Sequence, residues 1–191
     1  SGHNFFSKNI SEYAICHNKK LLNLFVLPVL IKSSGSGVFL VNKFFLMLLP
    51  DDLIMKRNCS KDMIKLHKKY KASIMASMTV KKNNVNRWGI YSISKKLNKQ
   101  NFVISNVIEK PNTQVAPSNN AVIGRYILSK NIFKILKSQT KGKGGEIHIT
   151  DSIKTMIDNK SLFIGHKFSG KYLDCGSMSG YINSTLKIAK L

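Results

Sequence analysis

The chain of 191 residues is long enough for one domain, and 43% of its residues are hydrophobic, as in an ordinary folded protein. Its formal charge of +22 points to nucleic acid or an anionic membrane as a partner. Only three of the 31 basic residues are arginine, however, and the lysines are spread along the chain. The planar guanidinium of arginine binds phosphates and base edges better than the ammonium of lysine does. We therefore attribute the charge to a general composition bias and expect only weak, salt-sensitive attraction to polyanions.

The cysteines and the apolar segments indicate the compartment. Cys16, Cys59 and Cys175 are odd in number and lack the spacing of a zinc site or a disulfide framework, which favours a reducing environment. The apolar run at residues 21–31 is shorter than the about 20 residues needed to cross a bilayer. We therefore expect a soluble cytoplasmic protein with no membrane partner.

Apolar runs and helical patterns alternate along the chain from residue 44 onward. Runs rich in apolar residues predict strands at Phe44–Leu49, Ser73–Val80, Arg87–Ile93, Asn101–Glu109, Ala121–Leu128 and Leu162–Phe168. Helices are predicted at residues 60–70, 131–137, 150–159 and 178–190, the first capped by Ser60 and the third by Thr150 or Asp151. This alternation predicts an α/β fold with a mostly parallel sheet flanked by helices.

Two small-residue stretches interrupt this pattern. Residues 33–37 (SSGSG) read as a linker or as the remnant of a glycine-containing substrate loop. Residues 141–145 (KGKGG) lack the spacing of a phosphate-binding Walker loop and read as a flexible connection. In the first 41 residues, His3, Cys16 and His17 have no regular metal-ligand spacing.

Several polar residues lie where predicted strands end. Glu109 and Lys110 form an adjacent acid and base before Pro111, and open α/β sheets bind ligands beyond the carboxyl ends of their strands. The alternative for this pair is an edge-strand ion pair before a turn. Gly89 interrupts a strand pattern, which is typical of a bulge or of close backbone approach to a ligand. The acidic pair at residues 51–52 follows the first strand, where a turn or a helix cap is the alternative reading.

Five motifs occur in a fixed order along the chain. They are LLPDDLI (Leu48–Ile54), IEKP (Ile108–Pro111), SNNAVIGRY (Ser118–Tyr126), GEIHITD (Gly145–Asp151) and LDCGSMSGY (Leu173–Tyr181). In this order and spacing they resemble the bacterial UTP–glucose-1-phosphate uridylyltransferases, also called UDP-glucose pyrophosphorylases. The resemblance covers residues 42–191, the expected sugar- and metal-binding portion, and residues 1–41 match poorly. The family's N-terminal glycine-rich nucleotide loop has no counterpart here, so the chain looks like the later portion of the enzyme.

The resemblance implies a Rossmann-like nucleotide-diphospho-sugar transferase fold that makes UDP-glucose and pyrophosphate from UTP and glucose 1-phosphate. It implies Mg²⁺ as the cofactor, with Asp51 and Asp174 as its ligands, and Lys110 as the third catalytic residue. Glu109 looks like the acceptor for glucose hydroxyls and Lys110 like the cation for the sugar phosphate. The implied substrate-binding residues are Gly89, Glu109, Lys110, Asn119 and Val122.

The resemblance also sets expectations for the whole protein and leaves two alternatives open. We expect a homo-oligomer in the intact family member and no specific nucleic-acid partner. Because the nucleotide loop and the first strands of the sheet are missing, we expect the isolated chain to be poorly stable and to have little transferase activity. The alternatives are another sugar-1-phosphate nucleotidyltransferase, of thymidylyl type, or a basic nucleic-acid-binding protein.

Overall fold

The computed structural model describes residues 39–41, 44–55, 58–140 and 147–190. The interpretations of His3, Cys16, His17 and of the stretches at 21–31, 33–37 and 141–145 lie outside these residues. The chain divides into two compact units. Of the described residues, those numbered 39–48 and 59–168 belong to the larger unit, and those numbered 49–58 and 169–190 to the smaller unit.

Nine strands and four α-helices are found in the described residues. The strands are β1 (Phe39–Val41), β2 (Phe44–Leu48), β3 (Asp52–Met55), β4 (Ser73–Thr79), β5 (Gly89–Lys96), β6 (Asn101–Glu109), β7 (Asn120–Ser129), β8 (Phe163–Lys167) and β9 (Lys171–Asp174). The α-helices are α1 (Cys59–Tyr70), α2 (Ile132–Ser138), α3 (Ile149–Asp158) and α4 (Met178–Ala189), and a 3₁₀ helix spans Lys82–Arg87. In this part of the chain, none of the helices has the length and apolar character needed to cross a membrane.

Seven strands of the larger unit form one sheet, in the order β1-β2-β7-β4-β8-β6-β5. The predicted mixed sheet flanked by helices is confirmed, but its mostly parallel character is not. Among the described strands, β4 and β8 form the one parallel pair, and the other pairings are antiparallel. The reason is that β5, β6 and β7 follow one another without an intervening α-helix, and strands joined in this way can pair antiparallel through short connections.

The six predicted strands and four predicted helices are all present, with ends that differ by at most three residues. The apolar runs succeed as predictors because the central strands are covered on both faces: β7 is buried continuously from Ala121 to Leu128. The predicted helix caps are wrong. Ser60 lies inside α1, which begins at Cys59, and α3 begins at Ile149 with His148 as its N-cap, so that Thr150 and Asp151 fall in its first turn.

Strand β5 pairs with two neighbouring strands at its first residues. Gly89 lies opposite Glu109 in the antiparallel pair with β6, and Ile90 lies opposite Ala121 of β7. Because β5 begins where β6 ends, this pairing brings residues 89, 109 and 122 onto adjacent strands. In the larger unit, the beginning of β5 thus pairs with the end of β6 and with the beginning of β7.

His166 is a buried polar residue in β8. Its side chain is 5% exposed, and its ring Nδ1 lies 2.7 Å from Oδ1 of Asn101, its register partner in β6. Burial lowers the pKa of His166 from its usual value of 6.5, and the negative charge of Asp62 partly offsets that effect. The imidazole is therefore neutral in the folded chain over a pH range in which an exposed histidine is protonated.

This shift predicts a pH dependence of stability. As the pH falls below 6.5, the unfolded chain binds a proton at His166 that the folded chain does not, so the free energy of unfolding falls, by at most about 1.4 kcal/mol per pH unit. We expect His166→Asn to lose less free energy of unfolding than the wild type between pH 7.5 and pH 5.5, as measured by urea unfolding at both pH values. His148→Asn is the control and should lose as much as the wild type. An identical pH dependence in His166→Asn and the wild type would contradict the assignment.

Candidate functional site

The smaller unit brings two aspartates to one end of a two-stranded sheet. Strands β3 and β9 pair antiparallel, with Asp52 opposite Asp174. Asp51 lies in the turn that precedes β3, and its backbone carbonyl accepts a hydrogen bond from the N–H of Cys175 at 2.8 Å. This register places Asp51 beside the residues that follow Asp174, although the two aspartates are far apart in sequence.

The carboxylates of Asp51 and Asp174 converge on Gly176. The N–H of Gly176 donates to Oδ1 of Asp174 at 2.9 Å. A Cβ atom at Gly176 would lie 2.9 Å from Oδ2 of Asp51 and 3.3 Å from Oδ1 of Asp174, so a larger residue here would displace the aspartates. The other carboxylate oxygen of Asp51, Oδ1, is buried and makes no hydrogen bond within the described part of the chain. A buried anionic oxygen in this position fits a bound cation.

Asp174 is held by the helix that follows it. The side chain of Ser177, the N-cap of α4, accepts a hydrogen bond from the N–H of Gly180 at 3.1 Å, and the hydroxyl of Ser184 donates to the carbonyl of Asp174 at 3.2 Å. Asp52 differs from Asp51, because its Oδ1 accepts a hydrogen bond from the hydroxyl of Tyr172. The two adjacent aspartates therefore have different environments.

In the larger unit, three elements meet around the carboxylate of Glu109. The hydroxyl of Thr150, in the first turn of α3, donates to Oε2 of Glu109 at 3.0 Å. A Cβ atom at Gly89 would lie 3.2 Å from the same oxygen, 3.1 Å from Cγ2 of Val122 and 3.2 Å from Cγ2 of Thr150. The missing side chain of Gly89 is thus what allows β5, β7 and α3 to approach Glu109 together.

Lys110 follows Glu109 in an unusual backbone conformation. Its φ of 43° lies in the left-handed region, and its N–H donates to the carbonyl of Trp88 at 3.1 Å. The ammonium lies 4.0 Å from Oε1 of Glu109, and the side chains of Lys110 and Glu109 are 55% and 22% exposed. An ion pair this exposed contributes at most about 1 kcal/mol. Lys71 and Lys160 also have a positive φ, of 54° and 63°, so the backbone conformation by itself does not mark Lys110 as a binding residue.

The structure brings together most of the predicted site residues. Gly89, Glu109 and Val122 form one cluster with Lys110 adjacent, and the two aspartates form another in the smaller unit. Asn119 is not part of the cluster: its side chain is exposed, and its backbone carbonyl accepts a hydrogen bond from Val80 at 2.9 Å. Sequence reasoning assigned Thr150 to a helix cap and so missed its contact with Glu109. The only sequence signal for that contact is its place in the GEIHITD motif.

Comparison with known proteins identifies the class. The sequence model of the nucleotidyl transferase family matches residues 35–190, and the chain belongs to that family. Within it, a UTP–glucose-1-phosphate uridylyltransferase from Pseudomonas aeruginosa is 37% identical over 144 residues, which are 74% of this chain and 51% of the relative. One from Komagataeibacter xylinus is 34% identical over 140 residues, covering 73% of this chain and 49% of the relative.

A solved structure agrees with these relatives. The crystal structure of a UDP-glucose pyrophosphorylase complexed with UDP-glucose superposes with a TM-score of 0.72 at 39% identity. The match covers 78% of this chain and 57% of that chain. The chain spans about half the length of the curated relatives it matches.

The left-handed conformation of Lys110 allows its effect on stability to be separated from the phosphate-binding role that the family resemblance implies for it. Glycine adopts this conformation without strain, so we expect Lys110→Gly to leave the free energy of unfolding unchanged or to raise it by about 1 kcal/mol. We expect the same variant to lose affinity for glucose 1-phosphate, because the cation is gone. Thermal unfolding and calorimetric titration measure the two effects.

Lys160→Gly is the matched control for this experiment. Lys160 also has a positive φ, of 63°, and it is exposed after α3. We expect Lys160→Gly to change the free energy of unfolding as Lys110→Gly does and to bind glucose 1-phosphate with the affinity of the wild type. Unchanged glucose 1-phosphate affinity in Lys110→Gly would show that Lys110 does not bind the phosphate.

Proposed function

We propose that this chain carries the sugar- and metal-binding portion of a nucleotidyltransferase that makes UDP-glucose and pyrophosphate from UTP and glucose 1-phosphate. The observation that carries the proposal is the convergence of Gly89, Val122 and Thr150 on the carboxylate of Glu109, beside Lys110. It occurs in a chain 37% identical to a relative named for this reaction. The larger unit contains the candidate sugar ligands, and the smaller unit contains the candidate metal ligands.

Glu109 is the proposed acceptor for glucose hydroxyls. Its two oxygens offer about four lone pairs, of which Thr150 takes one, so acceptor capacity remains for the sugar. A site built to accept hydroxyls discriminates against sugars that lack them, because its buried acceptor is then left unpaired. Gly89 and Val122 form the adjacent wall. We propose that Asn119, which is exposed in the loop before β7, contacts the sugar from outside this cluster.

Lys110 is the proposed cation for the phosphate of glucose 1-phosphate. A lysine ammonium binds phosphate as a point charge and needs no fixed fork geometry. Its backbone is fixed by the hydrogen bond to Trp88, and its side chain is more than half exposed, so a ligand can reach the ammonium.

We assign the proposed Mg²⁺ to Asp51 and Asp174. Mg²⁺ prefers oxygen ligands and is usually held by one or two protein carboxylates, with water and substrate phosphates completing its shell. The convergence of the two carboxylates at Gly176 and the buried oxygen of Asp51 support this assignment. When bound, the ion supplies positive charge that offsets the charge of the triphosphate.

The proposed reaction needs no nucleophile from the protein. An oxygen of glucose 1-phosphate forms a new bond to the α-phosphorus of UTP, and the bond from that phosphorus to the oxygen bridging to the β-phosphate breaks. Pyrophosphate leaves with the electron pair. The contribution of Glu109 and Lys110 is therefore to align the sugar phosphate and to offset its charge.

The proposal extends to the setting of the protein. We propose a cytoplasmic homo-oligomer with no specific nucleic-acid or membrane partner. The scarcity of arginine supports the absence of a specific nucleic-acid partner, and the cysteine pattern supports a reducing compartment.

Glu109→Gln tests the sugar site. The substitution keeps the shape of the side chain, removes its charge and replaces one acceptor oxygen with an amide donor. We expect the affinity for glucose 1-phosphate to fall at least about tenfold, since hydrogen bonds to a charged group are worth about 1.5–3 kcal/mol, and the affinity for UTP to stay unchanged. Calorimetric titration measures both. If glucose 1-phosphate binds the variant as tightly as the wild type, Glu109 does not hold the sugar.

Asp51→Asn tests the metal site without an activity assay. The change removes one of two carboxylates that face the same point and keeps the size of the side chain, so we expect the free energy of unfolding of the metal-free chain to stay within about 1 kcal/mol of the wild type. We also expect it to lose the rise in Tm that Mg²⁺ causes by binding the folded wild type. Differential scanning calorimetry with and without Mg²⁺ measures both.

Asp158→Asn is the control for the metal site, because Asp158 is exposed and, within the described residues, forms an ion pair only with Lys154, at 3.2 Å. It should keep the Mg²⁺-dependent rise in Tm. A full Mg²⁺ response in Asp51→Asn would rule out Asp51 as a ligand.

A further inference from the structure

We propose that Thr150 is a positioning residue that fixes the orientation of the Glu109 carboxylate and thereby sets which sugar hydroxyls the site accepts. This inference rests on the proposed function, because it concerns the same sugar site. The ligand expected at this site is a nucleotide-linked hexose whose hydroxyls match the lone pairs that the Glu109 carboxylate has left after it accepts the bond from Thr150.

Thr150 is held at both branches of its side chain. It is 4% exposed, its hydroxyl donates to Oε2 of Glu109 at 3.0 Å, and its methyl group packs against the backbone of Gly89, 3.2 Å from the position of a Cβ atom there. A β-branched side chain in a helix has few rotamers available. Its hydroxyl therefore presents a hydrogen to Glu109 from a fixed direction.

Other helical threonines in the described part of the chain use their hydroxyls differently. Thr155 bonds back to the carbonyl of Asp151 at 3.1 Å, and Thr185 bonds back to that of Tyr181 at 2.9 Å. Such bonds stay within one helix and are the usual choice for threonine. Thr150 instead bonds across to β6, 41 positions earlier in the sequence. The contact therefore ties the beginning of α3 to the end of β6.

The beginning of α3 is itself anchored. The side-chain amide of Gln139 donates to the carbonyl of His148 at 2.9 Å, and the amide oxygen of Gln139 accepts a hydrogen bond from the hydroxyl of Ser152. These bonds hold the first turn, which contains Thr150, against the end of α2. The free N–H groups of a first helical turn also favour a neighbouring carboxylate. Glu109 thus meets a donor whose own position is set by two further hydrogen bonds.

Fixing one oxygen of Glu109 determines what the other can accept. With Oε2 bonded to Thr150, Oε1 faces Lys110, and the carboxylate cannot rotate without breaking the bond to Thr150. A sugar whose hydroxyls do not match this orientation leaves an acceptor unpaired, which is costly. Loss of the threonine hydroxyl would free the carboxylate to rotate and weaken the fit to glucose.

The test compares three threonine variants by calorimetric titration with UDP-glucose and with UDP, in the presence of Mg²⁺. Thr150→Val removes the hydroxyl and keeps the shape, Thr150→Ser keeps the hydroxyl, and Thr155→Val makes the same change on an exposed face of the same helix. Circular dichroism checks the fold of each variant. If Thr150→Val does not fold, Thr150→Ala takes its place, with Thr150→Ser as its hydroxyl-bearing match.

We expect Thr150→Val to bind UDP-glucose about tenfold more weakly and UDP as the wild type does. Thr155→Val should stay within about twofold of the wild type, and Thr150→Ser, which keeps the hydroxyl but loses the methyl group, should bind UDP-glucose more tightly than Thr150→Val does. Equal losses for UDP-glucose and UDP, or no loss at all, would overturn the inference. The proposed function fails separately, if the wild type does not bind UDP-glucose. A third outcome is that the wild type binds UDP-glucose, Glu109→Gln weakens this binding and Thr150→Val leaves it unchanged. In that case only the inference about Thr150 fails.

Discussion

The close approach of backbone and side chains at Gly89 is the constraint on which the candidate sugar site depends. Val122 from β7, Glu109 from β6 and Thr150 from α3 all lie within 3.2 Å of the place where a side chain would begin. Any larger residue would push these elements apart by a few tenths of an ångström. The smaller unit uses the same arrangement at Gly176, where the open space lies between two aspartates. In both units, a missing Cβ atom allows polar groups from separate strands to meet.

The fold was largely predictable because its central strands are buried on both faces. A continuous apolar run such as β7 can be read directly from the sequence. Strands β3 and β9 were not predicted, since each has four residues of mixed polarity and, within the described residues, each pairs only with the other. Such short strands form because of the strand they pair with, and their own sequences show no regular alternation of apolar and polar residues. The mostly parallel sheet was predicted wrongly for a similar reason. Whether two strands pair parallel or antiparallel depends on which strands are neighbours, and the residue pattern within one strand does not contain that information.

Candidate site residues were found from the sequence where the family resemblance assigns them a role, and Thr150 was missed because the resemblance assigns it none. Asp51, Asp174 and Glu109 were identified from motifs, and the structure places each beside a glycine that leaves it room. Thr150 was assigned to a helix cap because a threonine near a helix start satisfies that pattern equally well. Its bond to Glu109 joins residues far apart in sequence and depends on the packing of α3 against β6. No local pattern contains that information.

The central claim is that the chain has a sugar-nucleotide site that depends on a metal ion. The most direct measurement is a calorimetric titration of UDP-glucose with and without Mg²⁺, beside a single-stranded oligonucleotide at two salt concentrations. The account predicts saturable, Mg²⁺-dependent binding of UDP-glucose, and only weak oligonucleotide binding that falls steeply as salt is added. A folded chain that does not bind UDP-glucose but binds the oligonucleotide at both salt concentrations would contradict the central claim.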